Sequence, residues 1–217
     1  MRRERYNVNE QATLGRKQQK RGGKTVRRVL DAARVLMSED GFEAVQLAQI
    51  SAESGVSTGS LYHHFGSKEG IITRMIDEFK NQALTDLEQL DLADAPFDDR
   101  LRRLLDLTCD QFRDNPEFYR SMAERVRAQP AIWAPLRELR RAFEDRLRVE
   151  LAEGLKQRGI ADPQMAIHRM MQTVLGVLTH SVLFGSGPVT TDMPRLEAEI
   201  YSIGRAILLL PPPEESP

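Results

Sequence analysis

Twenty residues, Ile50-Ser51-Ala52-Glu53-Ser54-Gly55-Val56-Ser57-Thr58-Gly59-Ser60-Leu61-Tyr62-His63-His64-Phe65-Gly66-Ser67-Lys68-Glu69, constrain the fold more than any other part of the chain. They read as a short helix, a tight turn, and a second short helix leading into a third. A chain does this when a small apolar set must pin two helices at a steep angle, and the commonest use of that geometry is to push one helix into DNA. Gly55 sits where the first helix must stop, because a left-handed backbone is cheap only for glycine. Val56 is the apolar plug. Ser57 is the N-cap of the second helix, its hydroxyl serving amides without partners in the first turn. At about 100° per residue, Leu61 and Phe65 share one face and pack inward with Val56 and Ile50. Gly59, Ser60, Tyr62 and His63 point outward, and hydroxyls, an imidazole and a glycine suit base edges and phosphates. Ser67 caps a further helix, whose free amides and the adjacent Lys68 form a site for one phosphate.

The overall net charge of -1 argues against nucleic acid, but its distribution reverses that impression. Residues 1–30 hold ten Arg or Lys against Glu4 and Glu10, so this end carries +8 and the remainder -9. A basic end on an acidic body suits electrostatic approach to DNA by that end. A solvated basic tail with no binding role is the alternative. Cys109, the single cysteine, excludes an internal disulfide and fits a reducing cytoplasm; in an apolar helical pattern it reads as a small buried side chain. The N-terminus has no apolar signal-peptide core, and the longest apolar run, Val174 to Phe184, is too short and too polar to span a bilayer.

Taken in order, residues 1–22 read as a disordered basic arm, with Arg16, Lys17, Lys20 and Arg21 nearest the DNA-binding domain. Helix one is expected from Lys24 to Asp40 on the stripe Val26, Val29, Leu30, Ala33, Leu36 and Met37, with Gly41 ending it. Helices two and three cover Leu47–Ser54 and Thr58–Phe65. Helix four begins after Ser67 and stays apolar to Leu87, beyond what a small domain needs, so it is the expected mechanical link to the body. The break at Asp91–Asp99 with Pro96 marks a domain boundary. Helix five is expected over Asp99–Asp114 and helix six after Asn115-Pro116. Helix seven is expected over Ile132–Arg158, helix eight from the Asp162-Pro163 cap to Phe184, and the last helix over Pro194–Leu209. The expectation is an all-α fold of nine helices: an arm at 1–22, a DNA-binding domain at 23–80, a body at 81–210 and a disordered tail at 211–217.

At Gly41-Phe42, Ile50, Gly55-Val56-Ser57, Gly59, Leu61-Tyr62, His64-Phe65 and Lys68-Glu69 the sequence resembles the TetR (tetracycline-repressor) family of bacterial transcription regulators. The spacing matches the family's DNA-binding segment over about thirty positions, and the resemblance is strong over residues 24 to about 80. It departs from the family pattern at Val45-Gln46, where threonines are frequent, at Ser51, where alanine is usual, and at Gly70, where a large apolar residue is common. On this reading the candidate DNA contacts are Lys24, Gln46, Ser57, Thr58, Gly59, Ser60, Tyr62, His63, His64 and Lys68. His64 lies near the helix edge and could equally buttress helix one.

Helix eight is apolar around more than one face and needs two covers, the body's core and either more of that core or a symmetry mate. The resemblance implies a homodimer through the last two helices, reading a pseudo-palindromic operator. It also implies a cavity enclosed by helices five to eight. The candidate lining is Phe112, Phe118, Tyr119, Met122, Trp133, Phe143, Met170, Met171, Thr173 and Val177, which suits a small lipophilic or aromatic effector, although ordinary core residues would look the same. His168 and His180, twelve residues apart, do not have the spacing of a helical metal pair. The charges of helix seven read as a solvated face. The expected function is a cytoplasmic, ligand-responsive DNA-binding repressor without cofactor or metal. The alternative keeps DNA binding and replaces the effector with a protein partner. An enzyme is disfavoured because the chain has no nucleophile elbow, metal pair, phosphate loop or paired carboxylates.

Overall fold

A computed structural model describes residues 8–41, 44–126 and 130–210. Among these there are nine α-helices, one short 3-10 turn and no strand: α1 (Val8–Asp40), α2 (Leu47–Ser54), α3 (Thr58–Phe65), α4 (Lys68–Gln89), α5 (Phe97–Asp114), α6 (Pro116–Val126), the 3-10 turn Pro130–Trp133, α7 (Ala134–Gln157), α8 (Pro163–Phe184) and α9 (Leu196–Leu208). Phe42 of the motif, Arg2 and Arg3 of the arm and the tail from Pro211 lie outside the described residues, as do the side chains of Arg16, Lys17, Lys20 and Arg21. The backbone separates into two compact units, Met1–Met75 and Ile76–Pro217, and the division falls inside α4.

Four helix starts differ from expectation, α5 among them at Phe97 in place of Asp99. Helix α1 begins at Val8, not Lys24, so the backbone of residues 8–22 is helical where a disordered arm was expected. That run holds no proline and is rich in Gln, Lys and Arg, which lose little rotamer freedom in a helix. Gly22 and Gly23 cost about 1 kcal/mol each relative to alanine, too little to end a helix continuous with a buried stripe. Helix α7 begins at Ala134, not Ile132, with Trp133 as its N-cap. Pro135 enforces this, because its ring would strike the carbonyl four residues earlier in a helix started sooner. Before α9, turns closed by Met193 N to Thr190 O at 3.2 Å and Leu196 N to Met193 O at 3.3 Å delay the helix from Pro194 to Leu196.

In the first unit α1 packs on α2, and α2 on α3. Its buried residues include Val29, Leu30, Ala33 and Met37 of the expected α1 stripe, Ile50 of α2, the plug Val56, Leu61 of α3, and Ile71 and Ile72 of α4, while Val26 and Leu36 of that stripe are half-buried and Ala32 and Val45 are buried outside it. Each buried Val, Leu, Ile or Met among them stabilises by roughly 1.5–3 kcal/mol relative to exposure.

The second unit is built around α8, which packs on α5, α6, α7 and α9. Its core joins Leu104, Leu105 and Phe112 of α5, Leu147, Leu151 and Leu155 of α7, Met170, Val174 and Leu178 of α8, and Ile200 of α9. Helix α8 buries one face only. Gln172, Gly176 and His180 form an exposed row on the other, so of the two covers expected the chain itself supplies one, its own core. Cys109 is fully buried in the core, and burial pushes its thiol up to about 12, which makes it the inert small residue expected. Helices α5 and α9 are also joined by polar contacts. Asp98 accepts from Tyr201 Oη at 2.9 Å and pairs with Arg205 Nε at 2.9 Å, and Arg205 holds its carboxyl below the usual range. Arg113 pairs with Glu197 on the same seam.

Candidate nucleic-acid interface

The first unit presents α3 by fixing both of its ends. Gly55 ends α2 with φ +61°, and its amide donates to the Ala52 carbonyl at 3.4 Å. The end of α2 is also clamped from α1: Arg28 Nη2 donates to the Ser54 carbonyl at 2.5 Å. The positive φ favours glycine at this position, and a Cβ there would lie 2.7 Å from that same guanidinium nitrogen, the movable end of the Arg28 side chain. Ser57 caps α3 by accepting from the Ser60 amide at 3.3 Å. Ser67 caps α4 by accepting from the Gly70 amide at 3.1 Å.

Between these caps α3 turns Leu61 inward, only 1% exposed, with Phe65 half-buried. Thr58, Gly59, Tyr62 and His63 are exposed, and Tyr62 is 55% exposed despite its large ring. Ser60 is half-buried and so contributes less to this face than expected. His64 is exposed but leans to the helix edge, its Cε1 4.0 Å from where a Cβ of Gly22 on α1 would be. Its ring meets those of His63 and Phe65 edge-on at 5.3 and 6.2 Å. Lys24 on α1 and Gln46 before α2 are exposed. The Gln46 amide donates to Gln49 Oε1 at 2.7 Å, half of a capping box that starts α2 at the Val45-Gln46 departure from the family pattern.

Lys68, half-buried at the start of α4, makes a structural contact within the unit. Its ammonium donates to the Val45 carbonyl at 2.8 Å, tying the start of α4 to the chain entering α2. The reason is geometric: Val45 is fully buried, so its carbonyl is held beside the first turn of α4, where a long flexible stem can reach it. Sequence reasoning also missed Arg28, Ser51 and Ser54 as residues that set α3. Ser51 Oγ donates to the Val56 carbonyl at 2.7 Å, and Ser54 Oγ accepts from the Val56 amide at 3.3 Å. The departure from alanine at Ser51 was the available signal, but its partner across the turn was not visible in the sequence.

In the second unit the candidate lining residues are largely packed on one another. Phe112 stacks on Tyr119 at 3.8 Å between centroids, and Phe79 stacks on Phe118 at 4.3 Å. Phe112, Met122, Phe143, Met170 and Met171 are buried, while Phe118, Tyr119, Trp133, Thr173 and Val177 are half-buried. Burial pushes the Tyr119 hydroxyl above its ordinary range. Thr173 Oγ1 donates to its own helix at Arg169 O, 2.9 Å. A separate polar groove of about 310 Å³ lies along α7 and α8, lined by Arg141, Glu144, Gln164 and His168, with Ile167 as its apolar member. His168 Nε2 sits 3.3 Å from Glu144 there, and no group of three metal-ligating side chains occurs among the described residues.

The family model described as "Bacterial regulatory proteins, tetR family" matches residues 29–75, the segment that carries this geometry. Over these residues the chain is similar to the TetR family. It is 28% identical over 156 residues to the HTH-type transcriptional regulator UidR of Escherichia coli, covering 72% of this chain and 78% of that one. It is 43% identical over 67 residues to the HTH-type transcriptional repressor KstR2 of Rhodococcus jostii, covering 30% and 31% respectively. Among solved structures, the TetR-family regulator PfmR of Thermus thermophilus matches with a TM-score of 0.63 and 27% identity, over 83% of this chain and 97% of that one. No helix among the described residues is long and apolar enough to cross a membrane.

Proposed function

We propose that this chain is a cytoplasmic, homodimeric TetR-family repressor that binds a pseudo-palindromic operator through α3 and leaves it when a small lipophilic or aromatic effector occupies the second unit. The observation that carries DNA reading is the two-sided character of α3. Leu61 is buried, while Thr58, Gly59, Tyr62 and His63 are exposed on the opposite face. Base edges in the major groove present the donors and acceptors such a face can meet. In a dimer, two copies of α3 about 34 Å apart read successive turns of one duplex face.

Dimerisation is supported by α8, whose exposed row Gln172, Gly176 and His180 leads to Phe184, which is 67% exposed. Effector control is supported by the aromatic group Phe79, Phe112, Phe118 and Tyr119, where rings can separate to admit a flat apolar molecule, and by α4, whose residues are divided between the two units. The test of DNA reading is Tyr62→Ala in a salt-controlled shift assay. Specific operator affinity is expected to fall about tenfold or more while the circular dichroism and oligomeric state stay unchanged, and an unaltered affinity would remove α3 from the groove.

Control by a protein partner in place of the effector remains the second reading, and thermal melting separates the two. An apolar effector present at about 100 times its dissociation constant is expected to stabilise the protein by about 2.7 kcal/mol, and a set of aromatic and acyl compounds that leaves the melting temperature fixed would favour the partner.

A further inference from the structure

The two hydroxyl groups nearest the turn are linked in a chain with a definite direction. Ser51 Oγ lies 2.7 Å from the Val56 carbonyl oxygen. A carbonyl only accepts, so the one hydroxyl proton of Ser51 is committed to it. Thr58 Oγ1 lies 3.4 Å from Ser51 Oγ, and the proton between these oxygens must therefore come from Thr58. The end of the chain is itself anchored, because Val56 is buried and its amide is held by Ser54 Oγ at 3.3 Å. The hydrogen bonds thus run from Thr58 through Ser51 to Val56.

Thr58 is the first residue of α3 and is exposed. With its proton turned inward, its oxygen offers the outside only lone pairs. In the major groove lone pairs can be met by the N6 amino group of adenine or the N4 amino group of cytosine. Guanine O6 and N7, thymine O4 and phosphate oxygens are acceptors and gain no hydrogen bond from it. We propose that Ser51 is a positioning residue that makes Thr58 a pure acceptor, so that Thr58 selects adenine or cytosine at the operator base it faces. This rests on the reading of α3 as the groove-entering helix. An alanine at position 51 would leave the Thr58 proton free to turn outward, so the pairing of Ser51 with Thr58 is what distinguishes this chain's preference at that base.

The experiment is selection of bound DNA from a random pool by the full-length chain, with thermal melting of each variant alongside. The wild type is expected to enrich adenine or cytosine at one position in each half-site. Ser51→Ala is expected to lower that preference over guanine and thymine by about threefold to tenfold while every other position keeps its profile. Thr58→Val should remove the same preference, Thr58→Ser should keep it, and adding Ser51→Ala to Thr58→Val should change nothing further. An unchanged profile in Ser51→Ala, with Tyr62→Ala still altering the selected site, overturns the proposal and leaves the groove reading intact. So does a Thr58→Val variant that binds all sequences more weakly with a salt slope reduced by about one, because that is the behaviour of a phosphate contact. If no α3 variant alters the selected site, the groove reading and the proposal fall together.

Discussion

Gly70→Ala is expected to destabilise the DNA-binding unit by about 2–3 kcal/mol and to lower specific operator affinity by about 30-fold to 100-fold. A Cβ at this position would lie 1.8 Å from the carbonyl oxygen of Phe65 and 2.9 Å from its carbonyl carbon. Neither is the end of a side chain that can swing aside, so the backbone between α3 and α4 must move. That junction is only Gly66 and Ser67, and it is held at three points. The Gly66 amide donates to Tyr62 O at 2.9 Å, the Gly70 amide to Ser67 Oγ at 3.1 Å, and the Ile71 amide to Ser67 O at 3.3 Å. Relief of the overlap must break one of these bonds or rotate α3 on Leu61, and either change carries the exposed face away from its position. Differential scanning calorimetry together with shift assays on a fixed operator would check this. A variant with the wild-type melting profile and affinity would mean that the junction is looser than these contacts imply.

The same position marks the limit of what the sequence could reveal. Periodicity and capping chemistry located α2, α3, their turn and both serine caps, because those features are set by residues within four positions of one another. Gly70 was visible as a departure from the family pattern, but its cause, a carbonyl five residues earlier brought close by a two-residue junction, is tertiary. Lys68 is similar. A lysine beside a helix start suggests a phosphate, and its bond to the carbonyl of Val45, twenty-three positions away, could not be read from the sequence. Arg28 looked like one of ten basic residues in a charged end, whereas the fold uses it to close the end of α2. The start of α1 was misplaced for a different reason: the absence of apolar residues was read as the absence of a helix, although a helix can extend on propensity from a packed segment. In the body, aromatic and methionine side chains announced a core without saying whether rings pack on rings or on a ligand, because both uses require the same residue types.

Gly176→Glu tests the proposed pairing of two copies through α8. Within the chain, a Cβ at Gly176 would meet nothing within 4 Å, so a larger residue costs no packing there. Replacing a mid-helix glycine raises helix propensity by about 0.5–1 kcal/mol, so the isolated subunit should be at least as stable as before. Should α8 meet its symmetry mate along Gln172, Gly176 and His180, however, the substitution places two carboxylates where two helices must approach closely, and an unpaired buried charge costs several kcal/mol. The expected result is a folded monomer in sedimentation analysis. Its affinity for a two-half-site operator should fall by about a hundredfold or more, with little loss on a single half-site, because only the linkage between the two recognition helices is removed. A dimer of undiminished stability would place the interface on another face, and the exposed row of α8 would then need a different occupant.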